Sequence, residues 1–224
     1  MHPPFRGGEN EEKSMERSEL YRMVRNSLLA ELAKTGDRNV PAAVSNRHIH
    51  LSRTDVIRLF GAGYPLKPAK DISQPGQYAC EERVTLIGPK GTIDNVRVLG
   101  PEYPQTQVEV SAADASLLGI KPVVRVPGHL LGTPGIRVKG PAGEVSLHSG
   151  VIVPARHIHM SEAEASAYGY KDGDMVRLKK TGVQAVVFDN VVVCASSKYS
   201  LEAHLNTDEC LAAAIQNGEI LEVI

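Results

Sequence analysis

Val44–Ser52 reads VSNRHIHLS, and Val153–Ser161 reads VPARHIHMS. Arg-His-Ile-His thus occurs twice, once from Arg47 and again from Arg156. Further along, IDNVRV at Ile93–Val98 matches FDNVVV at Phe188–Val193. Glu109 follows Asp94 at the same spacing at which His204 follows Asp189. Each half therefore reads His-x-His, then Asp-Asn-Val, then a candidate ligand on an extended segment, then a short helix. The first half is the longer one between the His pair and Asp-Asn-Val, where it carries an additional segment around DISQPGQYACEE. Two copies of one supersecondary plan predict a pseudo-twofold pair of small units.

The local pattern is mostly β. AAVSNRHIHL, RVTLIGP, TIDNVRVLG, TQVEVS, GIRVKGP, GVIVPARHIHM, DMVRLKK, VQAVVFDNVVVCA and YSLEAHL are short, rich in Val and Ile, and bounded by Gly, Pro, Asn or Asp. Short helix starts lie between them: SRTDVIRLFG, SAADASLLG and SEAEASAYG. In each, Ser precedes Asp or Glu by three positions, as a capping box requires, and Gly stands near the end. The expected architecture is mainly β with short helices. It comprises two pseudosymmetric small β-barrels, over residues 40–130 and 131–224, with room for strand exchange between them.

Residues 1–39 read differently. Met1–Lys13 is polar and charged, and reads as a disordered leader. In SELYRMVRNSLLAELAKTG, the residues Leu20, Tyr21, Val24, Leu28 and Leu32 follow helical spacing. Ser18 is the expected N-cap and Gly36 the expected stop. This amphipathic helix either docks on a partner or packs on its own domain.

Several function classes lose support. The formal net charge of the 224 residues is −1, which gives no general affinity for nucleic acid. Three cysteines, Cys80, Cys194 and Cys210, show no CxxC spacing and suit a reducing cytosol. No apolar run approaches the roughly 20 residues of a spanning helix. Neither a GxGxxG fingerprint, a GxxxxGK[ST] loop nor a GxSxG elbow is present.

The histidines carry the chemistry. On a strand, residues i and i+2 share a face, about 6.5–7 Å apart at Cα. His48 and His50 can therefore converge on one metal, as can His157 and His159. Glu109 and His204 offer a third ligand to each set. Three protein ligands with an open position are the pattern of catalytic zinc. Arg47 and Arg156 are candidate anion binders or structural ion pairs, and Lys70 and Arg97 are further basic candidates. Cys80 has no adjacent histidine to activate it, so packing is its expected role.

These residues bring a family into view. VSNRHIHLS, KDISQPGQYA, ERVTLIGPKG, NVRVLGP, QTQVEVS, GVIVPARHIHMS and VFDNVVV resemble the PduL-type phosphotransacylases, the phosphate propanoyltransferases of bacterial microcompartments. The resemblance covers about Pro41 to Asp208. It implies tandem β-barrels, two zinc ions per chain, and the reaction acyl-CoA + phosphate ⇌ acyl phosphate + CoA. The family's metal ligands carry over onto His48, His50, Glu109, His157, His159 and His204. Lys70 and Arg97 become candidates for the CoA phosphates. The resemblance further implies propanoyl or acetyl as the acyl group and a homodimer or larger assembly. It also places the enzyme in the cytoplasm within a microcompartment, with shell or core proteins as partners of the N-terminal helix.

One position departs from the family. Three positions before the Thr of TQVE, where Arg is common and suits phosphate, stands Tyr103. A phenol is not a cation at neutral pH. Arg47, Arg156 or another residue then binds phosphate, or the enzyme is weakened. The rival readings are a zinc hydrolase with water as the nucleophile and a zinc-stabilised structural module.

Overall fold

The computed structural model describes residues 34–224 throughout and, before them, only Val24, Ser27, Leu28 and Glu31. The expected helix over Ser18–Lys34 lies largely outside the described residues.

The described elements are β1 (Asn39–Ser45), β2 (His48–Ser52), α1 (Arg53–Phe60), β3 (Pro68–Asp71), β4 (Tyr78–Ile87), β5 (Thr92–Tyr103) and β6 (Gln107–Glu109). There follow α2 (Ala112–Leu118), β7 (Val124–Arg125), β8 (Ile136–Lys139), β9 (Glu144–Leu147), β10 (Val151–Pro154) and β11 (His157–Met160). The chain ends with α3 (Glu162–Tyr168), β12 (Met175–Lys180), β13 (Val186–Ala195), β14 (Glu202–Asn206), α4 (Thr207–Ala213) and β15 (Ile220–Val223). The molecule is mainly β with short helices, as the Val- and Ile-rich segments predict.

One barrel closes and the other does not. Six strands form the closed barrel, in the order β1-β14-β11-β13-β12-β15. Nine strands form the second sheet, in the order β7-β10-β6-β2-β5-β4-β8-β9, with β3 on β4. Strand pairing explains both. β15 pairs with β12 on one side and β1 on the other, which completes the ring. β8 pairs with β4 but then turns into a hairpin with β9, so the first sheet stays a half-barrel.

The two halves share strands reciprocally. β1 precedes the first His pair yet lies parallel to β14, with Ala42 opposite Ala203. β10 precedes the second His pair yet lies parallel to β6, with Val151 opposite Val108. These two registers are the same register in repeat coordinates. The offset between the His pairs carries Ala42 onto Val151, and the offset between the Asp-Asn-Val motifs carries Val108 onto Ala203. The cores follow the pairing. Val40 and Ala42 pack into the core of the C-terminal barrel, and Val151 packs into that of the first sheet.

Local chemistry sets the helix starts. Ser52, Ser111, Ser161 and Asn206 each accept a hydrogen bond from the backbone N–H three positions on. Such a cap stabilises a helix by about 1 kcal/mol. α2 and α3 end at Gly119 and Gly169, both left-handed, with φ of 75° and 76°. A β-carbon is disfavoured in that conformation.

Candidate metal centre

Strand register assembles two triads. In β2 the alternation turns Ile49 into the core, with no exposed surface, and His48 and His50 to the other face. Burying a side chain of that size stabilises the fold by about 1.5–3 kcal/mol. Glu109 on antiparallel β6 sits directly opposite His48. In β11 the same alternation buries Ile158, and His204 on β14 sits directly opposite His157. The ligand atoms of His48, His50 and Glu109 lie within 4.8 Å of one another, and so do those of His157, His159 and His204.

The donor chemistry fits a divalent cation at both places. His48 Nδ1 lies 2.8 Å from the Asn46 carbonyl oxygen, and His157 Nδ1 lies 2.8 Å from that of Ala155. A carbonyl only accepts, so each Nδ1 carries a proton and each Nε2 is the ring nitrogen turned to the triad; a cation would take the Nε2 proton's place at His48. His50 Nδ1, His159 Nδ1 and His204 Nε2 are buried without a hydrogen-bond partner. A buried polar atom left unpaired costs about 1–3 kcal/mol. Three such nitrogens converging on two points are what a metal pair would satisfy.

Charge distribution agrees. Burial, joined by neighbouring His48, pushes His50 down to about 3. Burial, with His157, pushes His159 down to about 3. Burial also lowers His157, and burial with His157 and His159 lowers His204 well below the ordinary range. These rings are therefore neutral at pH 7, the form in which an imidazole can bind a metal. Burial opposes the charge on Glu109, but His48, then His50 and His157, hold it well below the usual carboxylate range. His48 is the exception. Burial opposes its charge, yet the Glu109 carboxylate and the Asn46 carbonyl raise it above the ordinary value.

One cavity of about 580 Å³ joins the two triads. Its walls include His48, His50, Glu109, His157 and His204. Arg47 and Arg97 also line it, with Ser73, Gln74 and Gln77 from the additional segment. A more open groove of about 840 Å³ lies elsewhere, along Phe60, Tyr64 and Glu82, and contains none of the triad residues.

The other candidates are placed as follows. Arg47 is paired through Nε and Nη2 with Asp114, at 2.9 and 2.8 Å. Arg156 donates to Glu209 at 2.6 Å and to the Asp189 carbonyl at 2.7 Å. Its guanidinium lies 5.4 Å from the centre of the Phe188 ring. Asp114 and Glu209 are equivalent capping-box carboxylates of α2 and α4. Arg97 lies opposite His48 on β5 and donates to the Cys80 carbonyl at 2.5 Å. Lys70 is exposed on β3. Cys80 is fully buried, and burial and Glu82 push its thiol up to about 11, against Arg97. Tyr103 stacks on His50, with ring centroids 3.9 Å apart and planes 9° from parallel.

Sequence reasoning missed three features. Tyr199 stacks on His159, at 4.0 Å and 10°. Glu202 Oε2 lies 3.3 Å from His204 Nε2 and accepts hydrogen bonds from Ser73 at 2.5 Å and Gln74 at 3.0 Å. Gln107, at the equivalent place in the first half, donates to Glu109 Oε1 at 2.7 Å. A signal for Glu202 existed, because Glu202 and His204 are an i, i+2 pair on one strand face. No local pattern marks Tyr199.

A family model described as phosphate propanoyltransferase matches residues 41–216. The chain belongs to the phosphate propanoyltransferase family. It is thus an acyltransferase enzyme by family. A phosphate propanoyltransferase of Thermotoga maritima is 49% identical over 182 residues, covering 81% of this chain and 87% of the relative. That of Salmonella typhimurium is 49% identical over 181 residues, covering 80% and 86%. That of Sebaldella termitidis is 41% identical over 204 residues, covering 91% and 96%. Among the described residues, no helix is long and apolar enough to cross a membrane.

Proposed function

We propose that this enzyme transfers a propanoyl group reversibly between CoA and phosphate, at two zinc centres that share one cavity. The observation that carries the reading is the pair of three-ligand sets opening onto that cavity. Family membership supports the same substrates, since the relatives are named for propanoyl and phosphate. His48, His50 and Glu109 would hold one ion, and His157, His159 and His204 the other. A zinc ion bound by three ligands supplies Lewis acidity and an open position for an anionic oxygen or a thiolate.

The remaining work falls to the chain. The cavity holds the thioester and phosphate side by side, which converts a bimolecular encounter into a local one. A phosphate oxygen attacks the thioester carbonyl; the new C–O bond forms as the C–S bond breaks, and the sulfur leaves with its electron pair as CoA thiolate. Arg97 and Arg47 provide positive charge at the cavity wall for phosphate and for the CoA phosphates. Lys70 is assigned to the outer CoA phosphates on charge alone. Arg156 serves its ion pair with Glu209. Cys80 stays protonated at neutral pH, and no covalent acyl-enzyme is required.

The additional segment gives the site its cross-link. Gln74, 2% exposed, donates to the Ser200 carbonyl and accepts from the Ser200 N–H. It therefore fastens the first half to the segment that leads into the His204 strand. By family resemblance, Ser18–Lys34 would direct the enzyme into a microcompartment, and the assembly would be a dimer or larger.

The test is propanoyl phosphate formation from propanoyl-CoA, assayed beside acetyl- and butanoyl-CoA, with metal analysis of the same sample. Acyl-CoA should be consumed only when phosphate is present. Phosphate-independent thioester cleavage would make the enzyme a hydrolase, and no turnover with tightly held metal would make it a structural module.

A further inference from the structure

We propose that Tyr103 and Tyr199 are positioning residues of the two metal centres, each lying flat on the second histidine of its triad and favouring the cation-bound form of that ring. The inference rests on the metal reading above. Its geometry is symmetric where the sequence is not. Tyr103 covers His50 with centroids 3.9 Å apart, and Tyr199 covers His159 with centroids 4.0 Å apart. Both pairs lie within 10° of parallel. Tyr103 stands at the end of β5, whereas Tyr199 stands in the loop before β14. The offset between the Asp-Asn-Val motifs maps Tyr103 onto Lys198, not Tyr199. The two halves thus reach one ring-on-ring contact from different backbone positions, and copying of the repeat does not account for it.

The contact meets a specific need. The first histidine of each pair is oriented by the carbonyl of the residue two before it, Asn46 or Ala155. The second histidine leaves a buried Nδ1 unpartnered in each half, at His50, where the Leu99 backbone also acts on the ring, and at His159. A ring lying on the face of that imidazole fixes its plane and so aims the lone pair.

The stack also discriminates between states of the imidazole. An aromatic face is electron-rich, so two neutral rings disfavour a face-to-face sandwich. Coordination to a cation withdraws electron density from the imidazole, and an electron-rich phenol face then attracts it, as it attracts any cationic group. A nearly parallel stack is therefore worth more when the metal is present than when it is absent. That difference adds directly to metal affinity.

The test uses the full chain. Zinc affinity is measured by chelator competition for the wild type, Tyr103→Leu, Tyr199→Leu, Tyr103→Phe and Tyr199→Phe. Each Leu variant should bind one of its two zinc ions about ten-fold or more weakly, the range found for groups that orient metal ligands. The other ion should be unaffected. The Phe variants keep the ring and should bind both ions as the wild type does. In cobalt(II)-substituted protein, the visible spectrum of the affected centre should shift in the Leu variants alone. Should a Leu variant fail to fold, Tyr→Met at the same position makes the same comparison. Leu or Met variants that hold both ions as tightly as the wild type, or equal losses in Phe and Leu variants, overturn the proposal. A wild-type protein that binds no zinc overturns the metal reading first, before any variant is compared.

Discussion

An imidazole holds a cation only with a free lone pair, and metal binding at each triad would depend on that condition at every ring. In a three-ligand set, loss of one ligand removes both affinity and geometry. His48→Ala and His157→Ala should each abolish acyl transfer and lower zinc content by about one ion per chain. His204→Ala should do the same at the second triad, by metal analysis after gel filtration. The buried thiol predicts the opposite behaviour. With its value pushed up to about 11 by burial and Glu82, Cys80 remains a thiol throughout the neutral range. Cys80→Ala should keep phosphate-dependent turnover, and an alkylating reagent at neutral pH should leave Cys80 unmodified in the folded enzyme, read by peptide mass mapping. All six triad residues were legible in the sequence, because strand alternation and a repeat are both linear patterns. The stacked tyrosines and the Ser73–Gln74 clamp on Glu202 were not. They join segments far apart in sequence, and nothing in a local window reports such a contact.

At the level of the strands and helices, Asp-Asn-Val proves to be a backbone device. Asn95 and Asn190 adopt φ of 59° and 57°, each inside a strand. The antiparallel ladder shifts register close by, between Val84 and Leu86 in one half and between Val176 and Leu178 in the other. Asn tolerates the left-handed region better than most side chains, and a β-branched residue tolerates it worst. Asn95→Gly should therefore leave the melting temperature nearly unchanged, whereas Asn95→Val should cost about 1–2 kcal/mol, read by denaturant titration. The motif was visible as a repeat, but its meaning was not, because a positive φ leaves no trace in hydrophobic patterning. The arginines before the His pairs teach a related lesson. Arg47 and Arg156 fasten the His strands to the capping-box carboxylates of α2 and α4. Arg156→Gln should thus lower stability by about 1–2 kcal/mol and leave the Michaelis constant for phosphate within about two-fold.

For the whole molecule, the strand exchange decides where the chain can be cut. β1 lies between β14 and β15, parallel to one and antiparallel to the other. Without it the closed barrel would expose two strand edges and the core around Val40 and Ala42, both essentially without exposed surface. β10 does the same for the first sheet, where it lies between β6 and β7. Neither half of the sequence thus contains all the strands of one β-unit, and fragments 1–130 and 131–224 expressed separately should each fail to fold. The boundary before β1 is different. The Arg38 carbonyl accepts from the Val223 N–H, so the last contact needed by the barrel begins at about residue 37. Deleting residues 1–36 should leave a protein with the wild-type melting temperature, both zinc ions and full transfer activity, but unable to enter a microcompartment. Deleting residues 1–45 should unfold the closed barrel and lose whatever zinc His157, His159 and His204 would bind. Measuring both truncations by thermal melting and metal analysis separates a dispensable leader from a structural strand. An inactive or unfolded 1–36 deletion would place the amphipathic segment inside the catalytic fold.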